Sequence, residues 1–315
     1  MLDLITIGET MVAFMPDEKE LIRYARSFGK KTAGAESNVA IGTAKLGLKS
    51  GWFSKIGKDE FGEFILRELR GEGVDTSRVI QTAEYPTGIM FKQFGFNHET
   101  SVFYYRKNSA ASTLTIADLD EDYIKQAKIL HLSGITPALS ESCKATTNYL
   151  VDFAKKNHIS ISFDPNIRLK LWSKEEAVAC LYDILVKSDI VLLNISEAKI
   201  LLGTDDVPII IEKLRGFGTE KIAVKLGSKG AVVADREKIY QCPQFDTVVV
   251  DNIGAGDAFN SGFLCGVIEG KDTEMCGKMG SMMGALAVSS YGDVEGLPNR
   301  EQLENYLNHT HQIYR

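Results

Sequence analysis

The sequence holds little of what would tie a protein to nucleic acid, to a membrane or to an oxidising compartment. Basic residues do not dominate: 36 Lys and Arg stand against 42 Asp and Glu, a formal charge of -6. A mildly acidic chain gives no electrostatic reason to expect nucleic acid or an anionic membrane as partner, and the Lys30-Lys31 pair is too short to change that. The 5 cysteines, at 143, 180, 242, 265 and 276, form no C-x-x-C pair, so they read as buried reduced thiols and not as a disulfide framework. No stretch reaches the ~18 apolar residues of a membrane span. The opening Met1-Leu2-Asp3-Leu4-Ile5, with Glu9 soon after, lacks a basic segment followed by an apolar one. The cytoplasm is the expected compartment.

Several phosphate and metal motifs are missing as well. A dinucleotide fingerprint built on Gly254 and Gly256 would need glycine at 259, which is Phe259. Each Gly-Lys pair (29–30, 57–58, 270–271, 277–278) lacks the Ser or Thr of a Walker loop, and no H-R-D or D-F-G occurs. The histidines at 98, 131, 158, 309 and 311 have no metal-ligand spacing, and His309 and His311 read as solvated. There is no fixed-period repeat and no low-complexity linker.

What is there is an alternation. The 315 residues, 44% of them hydrophobic, suffice for a large α/β core. Buried strands are expected at 2–7, 52–56, 129–132, 159–163, 190–193, 222–225 and 232–234. Helical patterns lie at 37–46, 60–69, 140–156, 174–187, 207–216, 256–268, 273–289 and 299–308. Such alternation argues for a mostly parallel central sheet with helices on both faces. Residues 11–31 and 87–107 break the pattern, and the second reads as a β-hairpin with a polar turn at 97–100. The expected organisation is a core of 1–10, 32–86 and 108–315, with 11–31 and 87–107 as a small β-rich insertion. That insertion is either a lid over the sheet's carboxyl edge or a surface decoration.

The strongest local signal is Asp251-Asn252-Ile253-Gly254-Ala255-Gly256-Asp257-Ala258-Phe259, after a strand-like 247–250 and opening a helix. Gly254 and Gly256 permit tight backbone geometry in which successive N–H groups converge on an anion, and a helix N-terminus adds partial positive charge. Asp257 would stand beside that anion as a proton acceptor. The alternative is a glycine turn with Asp257 as a helix cap.

With Ala258-Phe259, that stretch resembles the C-terminal signature of the ribokinase-like (PfkB) carbohydrate kinases. The N-terminal signature is similar too: Gly34-Ala35-Glu36-Ser37-Asn38-Val39-Ala40, then Leu46-Gly47, then Gly57-Lys58-Asp59-Glu60-Phe61-Gly62. Between them, Asn194-Ile195-Ser196-Glu197 matches the family's N-x-x-E, and Lys225-Leu226-Gly227-Ser228-Lys229-Gly230 resembles its nucleotide-side glycine turn. Four ordered motifs across nearly the whole chain imply an ATP-dependent kinase. The resemblance implies Asp257 as general base on an acceptor hydroxyl and Gly254, Ala255 and Gly256 as an anion hole. It implies nucleotide contacts at Asn194, Lys225, Gly227, Ser228, Gly230, Gly254 and Gly256, with Mg2+ held partly through water by Asn194 and Glu197. It also implies a monovalent cation such as K+ at Asp251, Ile253, Ala287, Ser290, Gly292 and Gly296, mostly through backbone oxygens.

Tyr104-Tyr105-Arg106-Lys107-Asn108-Ser109 and Asp164-Pro165-Asn166-Ile167-Arg168 look like the 2-keto-3-deoxygluconate kinase subfamily. That resemblance puts Arg106 and Arg168 near a sugar-acid carboxylate, which suits a planar guanidinium fork. Tyr104 would lean on the ligand from the lid, and Gly34 and Asn38 would hold its hydroxyls. Either arginine alone could instead serve a surface or nucleotide-side ion pair. Some members carry tyrosine on the first hairpin strand, where this chain has Met90, and a thioether cannot donate a hydrogen bond. Fructokinase is the alternative within the class. A catalytically silent sugar-binding protein is the alternative outside it, since fold does not fix function. An exposed hairpin edge would favour a homo-oligomer built through the lid.

Overall fold

A computed structural model of the chain describes residues 1–18, 20–94, 100–251 and 253–308. In chain order the strands are β1 (Leu2–Ile7), β2 (Met11–Pro16), β3 (Phe28–Ala33), β4 (Ser50–Phe53), β5 (Lys55–Gly57), β6 (Ile80–Thr82), β7 (Ile89–Phe94), β8 (Thr100–Tyr105), β9 (Ala127–Ser133), β10 (Ser160–Asp164), β11 (Ile190–Asn194), β12 (Lys221–Lys225), β13 (Ala231–Ala234) and β14 (Ile239–Cys242). The helices are α1 (Ala35–Lys45), α2 (Glu60–Gly71), α3 (Glu121–Ile124), α4 (Glu141–Lys156), α5 (Lys174–Val186), α6 (Ile195–Leu202), α7 (Val207–Gly216), α8 (Ala255–Ile268), α9 (Thr273–Ala287) and α10 (Arg300–Leu307).

The main sheet runs β14-β13-β12-β11-β10-β9-β1-β4, parallel from β4 to β12 and antiparallel at β13 and β14. Alternate side chains of each strand enter opposite cores. Ile5, Val191, Leu193, Ile222 and Val224 pack with α4 to α7 on one face. Leu4, Ile190, Leu192 and Ala223 pack with Phe259 and Phe263 of α8 on the other. A strand buried on both faces must be apolar throughout, which is why short unbroken runs marked these strands in the sequence. Each fully buried Leu, Ile or Phe contributes about 1.5–3 kcal/mol.

β1 continues to β4 on one side, whereas β9, β10, β11 and β12 step away on the other. This reversal beside β1 is the topological switch point where wound sheets open a crevice at their carboxyl edge. Helix starts on that side are fixed by side-chain caps. Asp59 accepts from the N–H groups of Phe61 and Gly62, and Ser140 accepts from that of Cys143.

A second sheet, β3-β2-β7-β8, covers the crevice. Phe14, Phe28, Phe91 and Tyr105 pack ring against ring on its face away from the cleft, where Phe14 also meets Phe61 of α2. Met11, Ala13, Ala33 and Met90 form the inner one.

Some expectations need correction. Residues 247–250 form no strand: Val248 is 78% exposed, so its apolar run is a surface loop. The strand read at 52–56 is two, β4 and β5, which pair with different partners. Helix α6 went unread: it starts directly at the end of β11, with Asn194 both the last strand residue and the helix N-cap. Residues 97–99 of the hairpin turn, Asn252, His98, His309 and His311 lie outside the described residues. Among the described residues, no helix is long and apolar enough to cross a membrane.

Candidate active site

Parallel strands deliver their last residues to one edge. β10 ends in Asp164 and β12 in Lys225, whose ammonium donates to Asp164 Oδ2 at 2.8 Å. Asn260 of α8 joins them, its Nδ2 donating to the same oxygen at 2.6 Å while its Oδ1 accepts from Lys225 at 3.2 Å. Burial alone would raise the Asp164 pKa, but the Lys225 ammonium and the Asn260 amide hold it below the ordinary carboxylate range. Burial likewise opposes the Lys225 ammonium, and the surrounding Asp164, Glu197 and Asp257 carboxylates outweigh it. Asp164 therefore fixes a cation at the floor of the crevice. After it the chain turns sharply: Asn166 takes a left-handed φ of 36°, a conformation asparagine tolerates better than most residues. The turn throws Arg168 outward, exposed on the cleft rim, with no ion pair among the described residues.

Facing that floor is the start of α8. Gly254 is its N-cap at φ 86°, and an added Cβ there would meet the Asp293 backbone at 2.7 Å, so both conformation and space require glycine. Gly256 differs from its expected role: it is already helical, and no tight turn needs it. A Cβ at 256 would point toward Lys225 Nζ, 3.7 Å away. Its glycine keeps the space between the helix N-terminus and the ammonium open, which suits an anion held by both.

Asp257 lies in the first turn of α8 and accepts from Asn38 Nδ2 at 2.9 Å. This N–H···O bond replaces the helix-cap alternative, since no side-chain cap bond forms at the α8 N-terminus. Burial, then the nearby Asp164 and Asp293 carboxylates, raise the Asp257 pKa to about 7, with Asn38 and Lys225 pulling against them. Asn38 sits on α1, one turn beyond Gly34, the extended N-cap of that helix. Asn38 Oδ1 is buried without a partner among the described residues.

Asn194 and Glu197 form a capping box at α6: Asn194 accepts from the Glu197 N–H at 3.0 Å, and Glu197 Oε2 accepts from that of Asn194 at 2.9 Å. Glu197 Oε1 takes the Ile167 N–H at 3.3 Å. Burial and the Asp164 charge raise the Glu197 pKa, with Lys225 pulling against them. Mg2+ commonly takes one or two carboxylates and completes its shell with phosphate and water. A single charged side chain with its oxygens partly engaged fits that mode through water. Gly227, Ser228 and Gly230 form the tight turn after β12, with φ of 60° at Gly227 and 82° at Gly230.

The second sheet also lines the cleft. Tyr104 and Met90 face each other across β7 and β8 and line the cleft. Arg106 stacks over the Tyr104 ring at 5.7 Å and forms an ion pair with Glu9, just past β1. Ser109 Oγ donates to the same carboxylate at 2.5 Å. Arg106 Nε is buried and has no partner among the described residues.

One cleft of about 1290 Å³ joins these groups: Tyr104, Arg106, Arg168, Asp257, Lys225, Gly227 and Ser228 all line it. Gly34, Asn38, Asn194, Glu197, Gly230 and residues 253–257 also line it. Asp251, Ala287, Ser290, Gly292 and Gly296 do not; they lie behind the α8 start, where the Asp251 N–H bonds the Val288 carbonyl. There Asp251 Oδ2 and Ser290 Oγ are buried without partners among the described residues, an arrangement that fits a bound cation. Sequence reasoning missed Glu9, Lys92, Asn260 and Asp293. Asp293 alone left a trace, as the neighbour of Gly292.

The fold recurs in known proteins. Residues 1–300 match the model of the pfkB family carbohydrate kinases. The chain is 40% identical over 310 residues to a 2-dehydro-3-deoxygluconokinase of Bacillus subtilis, covering 97% of this chain and 95% of that one. It is 34% identical to a 2-dehydro-3-deoxygalactonokinase of Haloferax volcanii, covering 93% and 92%. A crystal structure of 2-dehydro-3-deoxygluconokinase from Thermotoga maritima superposes with a TM-score of 0.92 at 25% identity, over 98% of each chain. A ribokinase II candidate from E. coli, solved with ATP and Mg2+, also gives 0.92 at 25% identity, over 98% of this chain and 100% of that one. With its glycine-capped α8, its second smaller sheet and its near full-length match, the chain belongs to the pfkB family of carbohydrate kinases.

Proposed function

We propose that the chain transfers the γ-phosphoryl group of ATP to the terminal hydroxyl of 2-keto-3-deoxygluconate, giving ADP and 2-keto-3-deoxy-6-phosphogluconate. One observation carries the reading. Asp257 lines a single cleft together with an arginine that has no ion pair among the described residues, Arg168, and with Lys225 and the glycine turn after β12. The names of the most similar relatives support the substrate.

In this reading the ionised Asp257 accepts the proton of the attacking hydroxyl. The α8 N-terminus at 254–256 and the Lys225 ammonium offset the charge on the phosphoryl oxygens in flight. Asn38 holds the Asp257 carboxylate, and its free Oδ1 accepts from a substrate hydroxyl near Gly34. Arg168, and Arg106 through its free Nε, face the sugar-acid carboxylate, with Tyr104 on the ligand's flank. Asn194, Gly227, Ser228 and Gly230 line the nucleotide end. Mg2+, reached through water from Asn194 and Glu197, would neutralise the nucleotide phosphates. A monovalent cation such as K+ would sit among Asp251, Ile253, Ala287, Ser290, Gly292 and Gly296 and brace the α8 start from behind.

The reading makes 11–31 and 87–107 a lid on a core of 1–10, 32–86 and 108–315. It includes a homo-oligomer through the lid: β8 is an edge strand with Phe103 47% and Tyr105 66% exposed, and such edges invite pairing. It includes a cytoplasmic location. The test is a coupled ADP-release assay with 2-keto-3-deoxygluconate, fructose and ribose. The sugar acid is expected to give the highest kcat/KM; a preference for fructose would overturn the substrate.

A further inference from the structure

Lys92 occupies a position that lysine seldom takes. It lies on β7 of the lid sheet, and its side chain is 2% exposed. Its neighbours Met90 and Val102 belong to the lid's apolar inner face. Its ammonium leaves the lid altogether and meets Asp293 Oδ1 at 2.5 Å, 201 residues away in the core loop after α9. Asp293 is 5% exposed and holds a second contact: its Oδ2 accepts from Asn38 Nδ2 at 3.2 Å. The same Nδ2 donates to Asp257 Oδ2 at 2.9 Å. One amide thus bridges two carboxylates, and a lid lysine grips the outer one.

The Asp293 backbone also packs against the α8 start, where it would meet a Cβ at Gly254 within 2.7 Å. A second lid lysine grips the same loop from β3. Lys31 donates to the Tyr291 carbonyl at 2.7 Å and pairs with Glu295 at 3.0 Å. The seated lid therefore holds the loop that borders both the proposed base and the proposed anion hole.

We infer that Lys92 is a positioning residue through which the seated lid orients Asp257, by way of Asp293 and Asn38. The chemistry of the chain requires the lysine. Asp164, Asp293, Lys225 and the Asn38 amide face Asp257 from β10, the loop after α9, β12 and α1. Without Lys92, Asp293 would be a buried carboxylate with no countercharge, competing with Asp257 for the Asn38 amide. A lid lifted from the core would withdraw Lys92 and free the Asp293 carboxylate. The base would then be held in its productive rotamer only while the lid, with Tyr104 and Arg106, covers the acceptor.

The inference rests on Asp257 as base, so Asp257→Asn is measured beside the Lys92 variants. Lys92→Met is expected to lower kcat roughly 10–100-fold, the scale of an ångström-sized misplacement of a reacting group, with KM for the sugar acid nearly unchanged. Lys92→Arg, which keeps the charge, should restore most of kcat. Lys92→Met/Asp293→Asn leaves no unpaired buried charge, so it also covers the case in which Lys92→Met alone fails to fold. It should still lose about tenfold in kcat, and no more than Lys92→Met alone, because residues acting through one chain are not additive. A double variant with wild-type kcat, a Lys92→Met that shifts only Tm or KM, or losses that multiply would overturn the inference. If Asp257→Asn abolishes turnover while the Lys92 variants keep it, this inference fails alone; if Asp257→Asn keeps turnover, the base assignment fails first.

Discussion

Arg106, at the end of the second sheet's β8, is ion-paired with Glu9 just past β1, so its charge is already answered inside the protein. Arg168 has no such partner among the described residues and stands exposed at the cleft rim. Two arginines that look equivalent in the sequence therefore differ in what they can offer an anion. Arg168 brings a whole unpaired charge, whereas Arg106 brings chiefly the buried Nε that no group among the described residues takes up.

Arg168→Ala is accordingly expected to lower kcat/KM for the sugar acid by roughly 10–1,000-fold, the lower part of the range for truncating a charge pair, because water reaches the rim. Fructose turnover should change little, and Tm should hold. Arg106→Ala should in addition lower Tm, since it strands Glu9, which is 3% exposed. Kinetics on both sugars with thermal melts test this. Equal losses on the two sugars in Arg168→Ala would mean that the arginine serves the nucleotide or the fold.

The Asp257 carboxyl, raised to about 7 by burial and by Asp164 and Asp293, dictates a pH profile. A base must be ionised, so kcat/KM should rise about tenfold per pH unit below pH ~7 and level off above it. Asp257→Asn should lose roughly 10²–10⁴-fold in kcat and lose that acid limb with it. An unchanged limb in the variant would assign the titration to another group.

How much of this was legible follows from the physics of each element. The central strands and long helices were, because burial on both faces demands unbroken apolar runs and an amphipathic helix repeats its pattern. β2 and β3 were legible only as a β-rich stretch without strand bounds, because such a strand owes its state to partners such as Ile89, far along the chain. The false strand at 247–250 came from three valines, of which Val248 and Val249 face solvent. In the site, Asp257 announced itself through its flanking glycines, whereas Lys92 read as one charge in a hairpin. Its meaning depends on Asp293, and no local pattern encodes a pairing over 201 residues.

The lid should also report the substrate. Lys31 and Lys92 tie β3 and β7 to the core, while β8 is an edge with Tyr104 40% and Tyr105 66% exposed. Amide exchange in β8 should slow when sugar acid binds, because ligand contacts at Tyr104 and Arg106 add to an edge that now has few. Exchange in β2, already paired on both sides, should change less. Uniform protection across the sheet, with or without ligand, would show that the lid does not respond to the acceptor.

At Asp257 stability is set against activity. Its carboxyl titrates near 7 in the folded chain, against an ordinary value of 3.8. Below pH ~4 both folded and unfolded chains hold the proton, and the group costs the fold nothing. Between about 4 and 7 the unfolded chain has released the proton and the folded chain retains it, so each rise in pH favours unfolding through this residue. Above about 7 the folded carboxylate is ionised against Asp164 and Asp293, and the full cost remains. An asparagine cannot ionise and keeps an oxygen to accept from Asn38. Asp257→Asn should therefore melt higher than the wild type at pH 8, with the gap shrinking as pH falls and closing near pH 4. This is the pattern of a site that gives up stability for function. Thermal melts of both proteins between pH 4 and 8, without ligands, decide it. A gap that stayed constant with pH would mean that the carboxyl is not raised, and the acid limb argued above would need another owner.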